Sequence, residues 1–210
     1  MNTATAENIV ASVPRLFPGD TIVCLGSGPS LTPDDVTSCR GRARVIAVKD
    51  TVTLAPWADV LYSGEIKWWQ HYGPTLAFEG PRYGIACEGM ARVAALFNVS
   101  VLKNTGFIGL ETDPTGLRTG KNSGYQAINI AAHLGAARIL LLGYDMAVDG
   151  TRQHFFGAHP YPRNDVFRDF VPLFETLVEP LKKIGIEIIN CSRQTAVTAF
   201  ARRSLSEALA

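Results

Sequence analysis

Long hydrophobic runs are missing from this 210-residue chain. Its apolar stretches break off well short of the roughly 18 residues a bilayer requires, so no membrane span is expected. An excess of either charge is missing too: 20 Lys and Arg stand against 19 Asp and Glu, a net charge of +1. That balance gives no general footprint for nucleic acid or an anionic membrane, and leaves at most a local basic groove. Cys24, Cys39, Cys87 and Cys191 lack Cys-x-x-Cys spacing and do not cluster with the four histidines. This argues against a zinc site and a disulfide framework, and the four read as reduced, mostly buried thiols. The first 17 residues carry Glu7 and have neither a basic start nor a continuous apolar core. They do not read as a secretion signal, and the cytoplasm is the expected location. No Asp-x-Asp occurs, and Asp34, Asp35, Asp145 and Asp149 form no obvious metal cage, so no metal site is expected.

What is present suits one compact domain: 47% hydrophobic residues, 19 Gly and 12 Pro, without a linker, repeat or low-complexity segment. Strand-like runs occupy 21–25, 44–48, 59–63, 83–87, 100–104, 138–143 and 187–192. They are too apolar for a sheet with one wet face, so helices are expected on both sides. Helices are expected to start at Thr32, with Pro33 at the first helical position, and at Ser123, ending at Gly135. A third is expected where Phe167, Phe170, Phe174, Leu177, Leu181 and Ile184 recur at helical spacing, with Pro172 opening or kinking it and Gly185 ending it. The expected fold class is α/β: a single Rossmann-like, doubly wound, mostly parallel sheet with helices on both faces. Residues 1–18 form a lead-in, and 201–210 a C-terminal helix or tail.

Gly26-Ser27-Gly28-Pro29-Ser30-Leu31 follows the first strand directly, where glycines let main-chain amides approach a phosphate or ribose. Leu31 stands where the dinucleotide fingerprint has its third glycine, and Asp34 and Asp35 would repel a pyrophosphate, which disfavours an ordinary NAD site. A plain strand-to-helix turn explains the same residues about as well. In the ligand-binding reading, a branched side chain at Gly28 fills the ligand's space while the protein stays folded. Arg118-Thr119-Gly120-Lys121-Asn122-Ser123-Gly124 also leads into a helix and offers two cations and helix-start amides to an anion. Asn122 follows Lys121 where a P-loop has Ser or Thr, so Walker-type hydrolysis is disfavoured; a solvated loop is the competing reading. Between Gly143 and Asn164 lies a long, weakly periodic connection with Asp145, Asp149, His154, His159 and Arg163. Its histidines are candidates to take a proton from an attacking hydroxyl or to contact phosphate. His71 beside Trp68 and Trp69 reads as aromatic packing, and His133 as structural.

These residues resemble a known superfamily, the bacterial sialyltransferases of glycosyltransferase family 42 with the related motility-accessory and 6-hydroxymethylpterin-pyrophosphokinase-like proteins. The Gly26–Leu31 block resembles the family's Gly-x-Gly-Pro-Ser-Leu. Ser123-Gly124, Leu134-Gly135, Ile139–Leu142, Gly143 and Asp145 resemble its second block. His154-Phe155-Phe156-Gly157-Ala158-His159 is similar to its His-x-x-Gly-His, one residue longer. His159-Pro160 and Asn190-Cys191-Ser192-Arg193 also resemble segments of small tailed-phage proteins, which implies a phage or prophage origin and a host cytoplasm. The resemblance implies nucleotide contacts at Gly26, Ser27, Gly28, Pro29, Ser30, Ser123, Gly124 and Asp145, and the base role at His154. After the second strand the family often carries a polar Asn near the ligand; this chain has Lys49-Asp50, with Asp50 the candidate contact and the donor left open.

The leading expectation is a nucleotide-sugar-dependent transferase, a glycosyltransferase-like enzyme. His154 or, given the one-residue insertion, His159 takes the acceptor's proton, and Arg118 or Lys121 stabilises the departing phosphate. A nucleotide or nucleotide sugar is the expected partner and co-substrate, the acceptor is open, and no further cofactor is expected. One alternative is pyrophosphoryl transfer from ATP to a hydroxymethyl group, which needs magnesium and calls for two of Asp34, Asp35, Asp145 and Asp149 near the Gly26 loop. Another is a non-enzymatic phage assembly or binding protein of the same fold, in which the Gly26 loop, Ser123 and His154 need not meet.

Overall fold

The computed structural model describes residues 10–150, 152–157 and 167–210. Nine strands form one sheet: β1 Thr21–Leu25, β2 Arg44–Val48, β3 Val60–Tyr62, β4 Arg82–Ile85, β5 Ser100–Asn104, β6 Gly116–Leu117, β7 Arg138–Leu142, β8 Glu187–Asn190 and β9 Ala201–Arg202. Their order is β6-β5-β4-β3-β2-β1-β7-β8-β9. Every pairing is parallel, with Cys24 opposite Ile46 on β2 and Leu141 on β7. The fold is α/β and Rossmann-like, with a parallel sheet throughout. The seven strand-like runs of the sequence all appear, while β6 and β9, two residues each, are too short to show a period.

The helices are α1 Pro33–Cys39, α2 Ile66–Tyr72, α3 Met90–Phe97, α4 Ser123–Leu134, α5 Phe167–Phe170, α6 Val178–Lys183 and α7 Leu205–Ala208. Along β1 the side chains alternate between two cores, as the twofold period of a strand requires. Val23 and Leu25 pack with Val36 of α1, Trp68 and Trp69 of α2 and Val93 of α3. Ile22 and Cys24 pack with Tyr125, Ile128 and Ala131 of α4, and with Phe174 and Leu181. Both faces of β1 are therefore dry, and burial pushes the Cys24 thiol up to about 12.

Thr32 caps α1 as its type and position require, its Oγ accepting from the Asp35 amide at 3.2 Å. In α4 the cap is Asn122 rather than Ser123: Asn122 Oδ1 accepts from the Tyr125 amide at 2.8 Å, and Gly135, at φ +100°, stops the helix. The continuous helix expected from Phe167 to Ile184 is broken. After α5 the chain tightens into a 3-10 helix, Val171–Leu177, before α6. Pro172 has no amide hydrogen and its ring clashes with a carbonyl one turn back, so an α-helix cannot run through it. Phe174, Leu177 and Leu181 are buried as the spacing predicts, but Ile184 turns out to solvent.

Val13 of the lead-in is buried, and Val10 bridges to Val101. The C-terminal segment supplies β9 and α7, the latter capped by Ser204. Among the described residues no helix is long and apolar enough to cross a membrane. β1 lies between β2 and β7, so the chain's direction of travel across the sheet reverses there. In parallel α/β sheets a crevice opens at such a reversal, beyond the carboxyl ends of the strands.

Candidate functional site

The crevice at the ends of β1 and β7 holds a cleft walled by Gly26, Ser27 and Gly28 on one side and Gly143, Tyr144 and Met146 on the other. Val48 and Lys49 close it beside β2; Asn122, Ser123 and Gly124 bring in the start of α4. Gln153 and His154, with Phe167 and Phe170 of α5, complete it. The enclosed volume is about 70 Å³, and about 550 Å³ when the open mouth is counted. Small-molecule sites typically span roughly 300–1,000 Å³, so a nucleotide-sized ligand would fill the mouth as well as the enclosed part.

The Gly26 loop, Ser123 and His154 thus meet in one pocket. Ser27 Oγ and His154 Nδ1 lie 3.2 Å apart, and the Phe155 amide donates to Ser27 O at 2.8 Å, which fixes the histidine segment against the β1 loop. The His154 ring meets Phe167 edge-on, centroids 6.5 Å apart. Ser123 and Gly124 are the first helical residues of α4, whose amides have no acceptor within the helix. Gly124 is glycine because a Cβ there would meet the Tyr144 ring at 2.9 Å; the Tyr144 hydroxyl donates to Gly124 O at 2.9 Å. Among the described residues the cleft lining includes one lysine and no Asp or Glu.

Lys49 stands at φ +57°, a left-handed conformation that costs a lysine energy. Thr51 supports the turn, accepting from the Val48 amide at 2.9 Å and donating to Leu25 O at 3.1 Å. The Lys49 ammonium lies 2.6 Å from Glu65 Oε2, with side chains 8% and 24% exposed. Met146, at φ +46°, also lines the cleft, and Lys121, at φ +59°, directly precedes Asn122. Backbone strain concentrated around a cleft is a pointer to function.

Several candidates from the sequence fall outside the lining. Asp50 is buried beneath α2, its Oδ1 accepting from Trp68 Nε1 at 3.2 Å; the chain turns at Lys49, so Lys49 rather than Asp50 faces the cleft. Burial, reinforced by Asp50, pushes the Tyr72 hydroxyl up to about 12. Arg118 points back at the β5–β6 connection, its Nε 3.5 Å from Glu111 Oε2, and Lys121 is exposed on the far side of its turn. Pro29 is buried, and Ser30 ties loops together: its amide donates to Asp145 Oδ2 at 2.7 Å and its hydroxyl accepts from the Gln194 amide at 3.2 Å. His159 and Arg163 lie outside the described residues.

Asp145 sits beneath the β1 loop, 1% exposed, and its Oδ1 has no hydrogen-bond partner. Burial raises its carboxyl above the usual range against the opposing pull of the Ser30 amide. A Cβ on Gly28 would stand 2.5 Å from Asp145 Cγ and 2.7 Å from Gly143 O. The space beside Gly28 is therefore filled by the protein. This corrects the expectation that a side chain at 28 would meet the ligand in an otherwise intact fold. Of the remaining carboxylates, Asp35 is gripped by Arg193 through two bonds of 2.8 Å. Burial raises its carboxyl, but the bonds from Arg193 and Thr32 outweigh that and hold it low. None of Asp34, Asp35, Asp145 and Asp149 lines the cleft, and among the described residues no three His, Cys, Asp or Glu side chains cluster as metal ligands.

Sequence reasoning did not assign Val48, Lys49, Asn122, Gly143, Tyr144, Met146, Gln153, Phe167 and Phe170 to the site, though Asn122 and Gly143 lie in its motifs. Lys49 had a signal, a cation directly after a buried strand, but the neighbouring carboxylate drew the assignment.

No family model matches the chain, and no curated protein matches it at a significant level. A solved structure, a short-chain dehydrogenase from Oenococcus oeni PSU-1, aligns over 91% of this chain and 87% of that one at 12% identity, with a TM-score of 0.24. So low a score carries no argument about fold or function.

Proposed function

We propose that the chain is a nucleotide-dependent transferase that takes a nucleotide-sugar donor and uses His154 as the base for an acceptor hydroxyl. The observation that carries this reading is the 3.2 Å approach of Ser27 Oγ to His154 Nδ1 across the cleft at the strand-order reversal. A hydroxyl already lies within proton-transfer range of the imidazole there. An acceptor hydroxyl bound in the same reach gives its proton to His154 as its oxygen bonds to the anomeric carbon and the bond from that carbon to the phosphate oxygen breaks. The charge left on the phosphate falls to the first amides of α4, at Ser123 and Gly124, and to Lys49, three residues that line the cleft. Arg118 and Lys121 have no part in this version. The donor class rests on the resemblance to family 42 glycosyltransferases. The pyrophosphokinase alternative gains nothing from the four carboxylates, which are absent from the cleft lining. A purely structural role leaves the convergence of Ser27, His154 and the α4 start unexplained.

Equilibrium titration with CMP, CDP, UDP and GDP tests the nucleotide reading and separates donors by base and phosphate number. With the donor known, His154→Ala is expected to keep its nucleotide affinity, because a base acting in proton transfer contributes little to ground-state binding. Turnover is expected to fall roughly 10²- to 10⁴-fold. A His154→Ala variant with most of the wild-type turnover rejects the assignment, and His159→Ala then identifies whether the base lies further along.

A further inference from the structure

The balanced charge of the chain conceals an uneven surface. A groove runs between α1 and the C-terminal segment that carries β9 and α7, away from the cleft. Arg42, just after α1, Arg193, after β8, and Arg202 and Arg203, at β9, line it with two acids, Asp35 and Glu207. Its volume is about 1400 Å³ with the open mouth counted, against about 550 Å³ for the cleft. That exceeds the roughly 300–1,000 Å³ of small-molecule sites and suits an extended ligand. We propose that the groove binds the phosphodiester backbone of a single nucleic-acid strand, with Arg42 and Arg202 as the phosphate contacts and Arg203 beside them. The proposal is independent of the reading of the cleft.

Both acids are already engaged. Asp35 is gripped by Arg193 through two bonds of 2.8 Å, and Glu207 caps α7, accepting from the Ser204 hydroxyl at 2.6 Å and amide at 3.1 Å. Arg203 is 53% exposed and 3.8 Å from Glu187, whose other oxygen is held by Arg138 at 2.7 Å. Arg42 and Arg202 have no carboxylate within ion-pair range among the described residues. Their partners are neutral carbonyls. Arg42 Nη2 donates to Leu209 O at 3.0 Å, and Arg202 Nη2 to Ser192 O at 2.9 Å and Arg193 O at 3.0 Å. The Asn190–Arg193 segment thus orients Arg202 without neutralising it. Such bonds fix the direction of a guanidinium and leave its charge and further N–H groups to an incoming anion. Holding two long exposed side chains this way costs rotamer entropy, and surface bonds to carbonyls return little to the fold.

The cations continue beyond the groove. Arg42 also lines an adjoining hollow with half-buried Trp57 and with Arg40, whose guanidinium lies 5.6 Å from the centre of the Trp57 ring. Arg44 in that hollow is answered by Asp20 and Asp59. A run of cations beside an aromatic ring is how proteins hold single strands without regard to sequence. A membrane surface calls for apolar side chains beside the cations, and among the described residues no exposed large hydrophobic lines either hollow.

Fluorescence anisotropy of a labelled oligothymidylate of about 20 nucleotides, at about 50 to 200 mM salt, tests this. Wild type is compared with Arg42→Gln/Arg202→Gln and with Arg92→Gln/Lys103→Gln, an equal loss of charge at exposed positions outside both hollows. The groove variant is expected to bind at least about 10-fold more weakly at low salt. Its slope of log K against log salt should shrink by about 1.4, roughly 0.7 for each lost phosphate contact. The control should stay within about twofold of wild type, since unpatterned surface charge adds little at this range. Equal losses in the two variants overturn the proposal, because net charge alone then explains binding. An unchanged groove variant, or CMP displacing the oligonucleotide equally from wild type and groove variant, places the nucleic acid elsewhere and also overturns it. Wild type that ignores the oligonucleotide overturns it outright, and phosphatidylserine vesicles then test the membrane instead. Thermal unfolding verifies the fold of each variant. If the double variant does not fold, Arg42→Gln decides alone: weaker binding with a slope smaller by about 0.7 supports the proposal, and unchanged binding overturns it.

Discussion

Replacing Gly28 by alanine tests whether the β1 loop is glycine-rich for the ligand or for the fold. A Cβ at this position would stand 2.5 Å from Asp145 Cγ and 2.7 Å from Gly143 O, closer than real Cβ atoms come to such atoms. One neighbour is backbone on the adjacent β7 connection, and the other is a buried carboxyl held by the Ser30 amide at 2.7 Å, so neither yields cheaply. Overpacking of this kind costs about 1–3 kcal/mol. Moving Asp145 also weakens its bond to Ser30, and moving the loop strains the Gly28 amide's bond to Gly143 O at 2.8 Å, each worth roughly 1 kcal/mol. Gly28→Ala is therefore expected to destabilise the protein by about 3 kcal/mol or more. For a chain of this size that lowers Tm by roughly 6–12 °C. Urea denaturation and calorimetry measure it, with Gly41→Ala as a comparison, since a Cβ there meets nothing within 4 Å and pays for its positive φ alone. Adding Asp145→Ala to Gly28→Ala should recover part of the loss, a coupling of at least about 1 kcal/mol, because the carboxyl clash goes while the Gly143 contact stays. A Gly28→Ala protein within about 0.5 kcal/mol of wild type, the scatter of ordinary surface changes, would refute the steric argument.

Asp50→Ala removes the acceptor of the buried Trp68 indole N–H and is expected to cost about 1–3 kcal/mol in urea denaturation while leaving nucleotide affinity unchanged, since Asp50 does not line the cleft; a selective loss of affinity would return Asp50 to the site. His133 is held neutral mainly by burial, which lowers its pKa below 6.5 despite the Gly116 carbonyl at 3.0 Å and the charges of Glu111 and Asp113. Its folded form binds protons less readily than its unfolded form, so this stability is present above pH 6.5 and lost as pH falls through the folded value. His133→Gln is expected to flatten the fall in unfolding free energy between pH 7.5 and 5, and an unchanged slope would show that other groups set it.

The sheet was legible because parallel strands buried on both faces announce themselves as apolar runs, and the seven from Thr21–Leu25 to Glu187–Asn190 do so. Thr32-Pro33 declares a helix start in the same local way. At α4 two adjacent residues, Asn122 and Ser123, both have capping chemistry, and the choice of Asn122 is made by backbone geometry that no residue type encodes. The cleft was legible in its loops and poorly legible in its side chains. Ser27 and His154 are 127 residues apart, and their meeting follows from β1 lying beside β7, which is topology rather than spacing. Phe167 and Phe170 read as core positions of one long helix. Pro172 breaks that helix, and the two rings line the cleft instead. Lys49 rather than Asp50 reaches the cleft because the backbone turns left-handed at Lys49, a conformation that lysine gives no reason to expect.

The place of β1 in the sheet has a consequence for the chain as it is made. β1 gains its first neighbour, β2, soon after it emerges, but its second neighbour begins at Arg138, roughly a hundred residues later. At ordinary synthesis rates the far edge of Thr-Ile-Val-Cys-Leu waits on the order of 10 s for its partner. An apolar strand edge open for that long is a template for wrong pairing with other chains. Yield during expression should therefore fall as synthesis slows, and rise with chaperone supply, more strongly than the finished protein's stability would indicate.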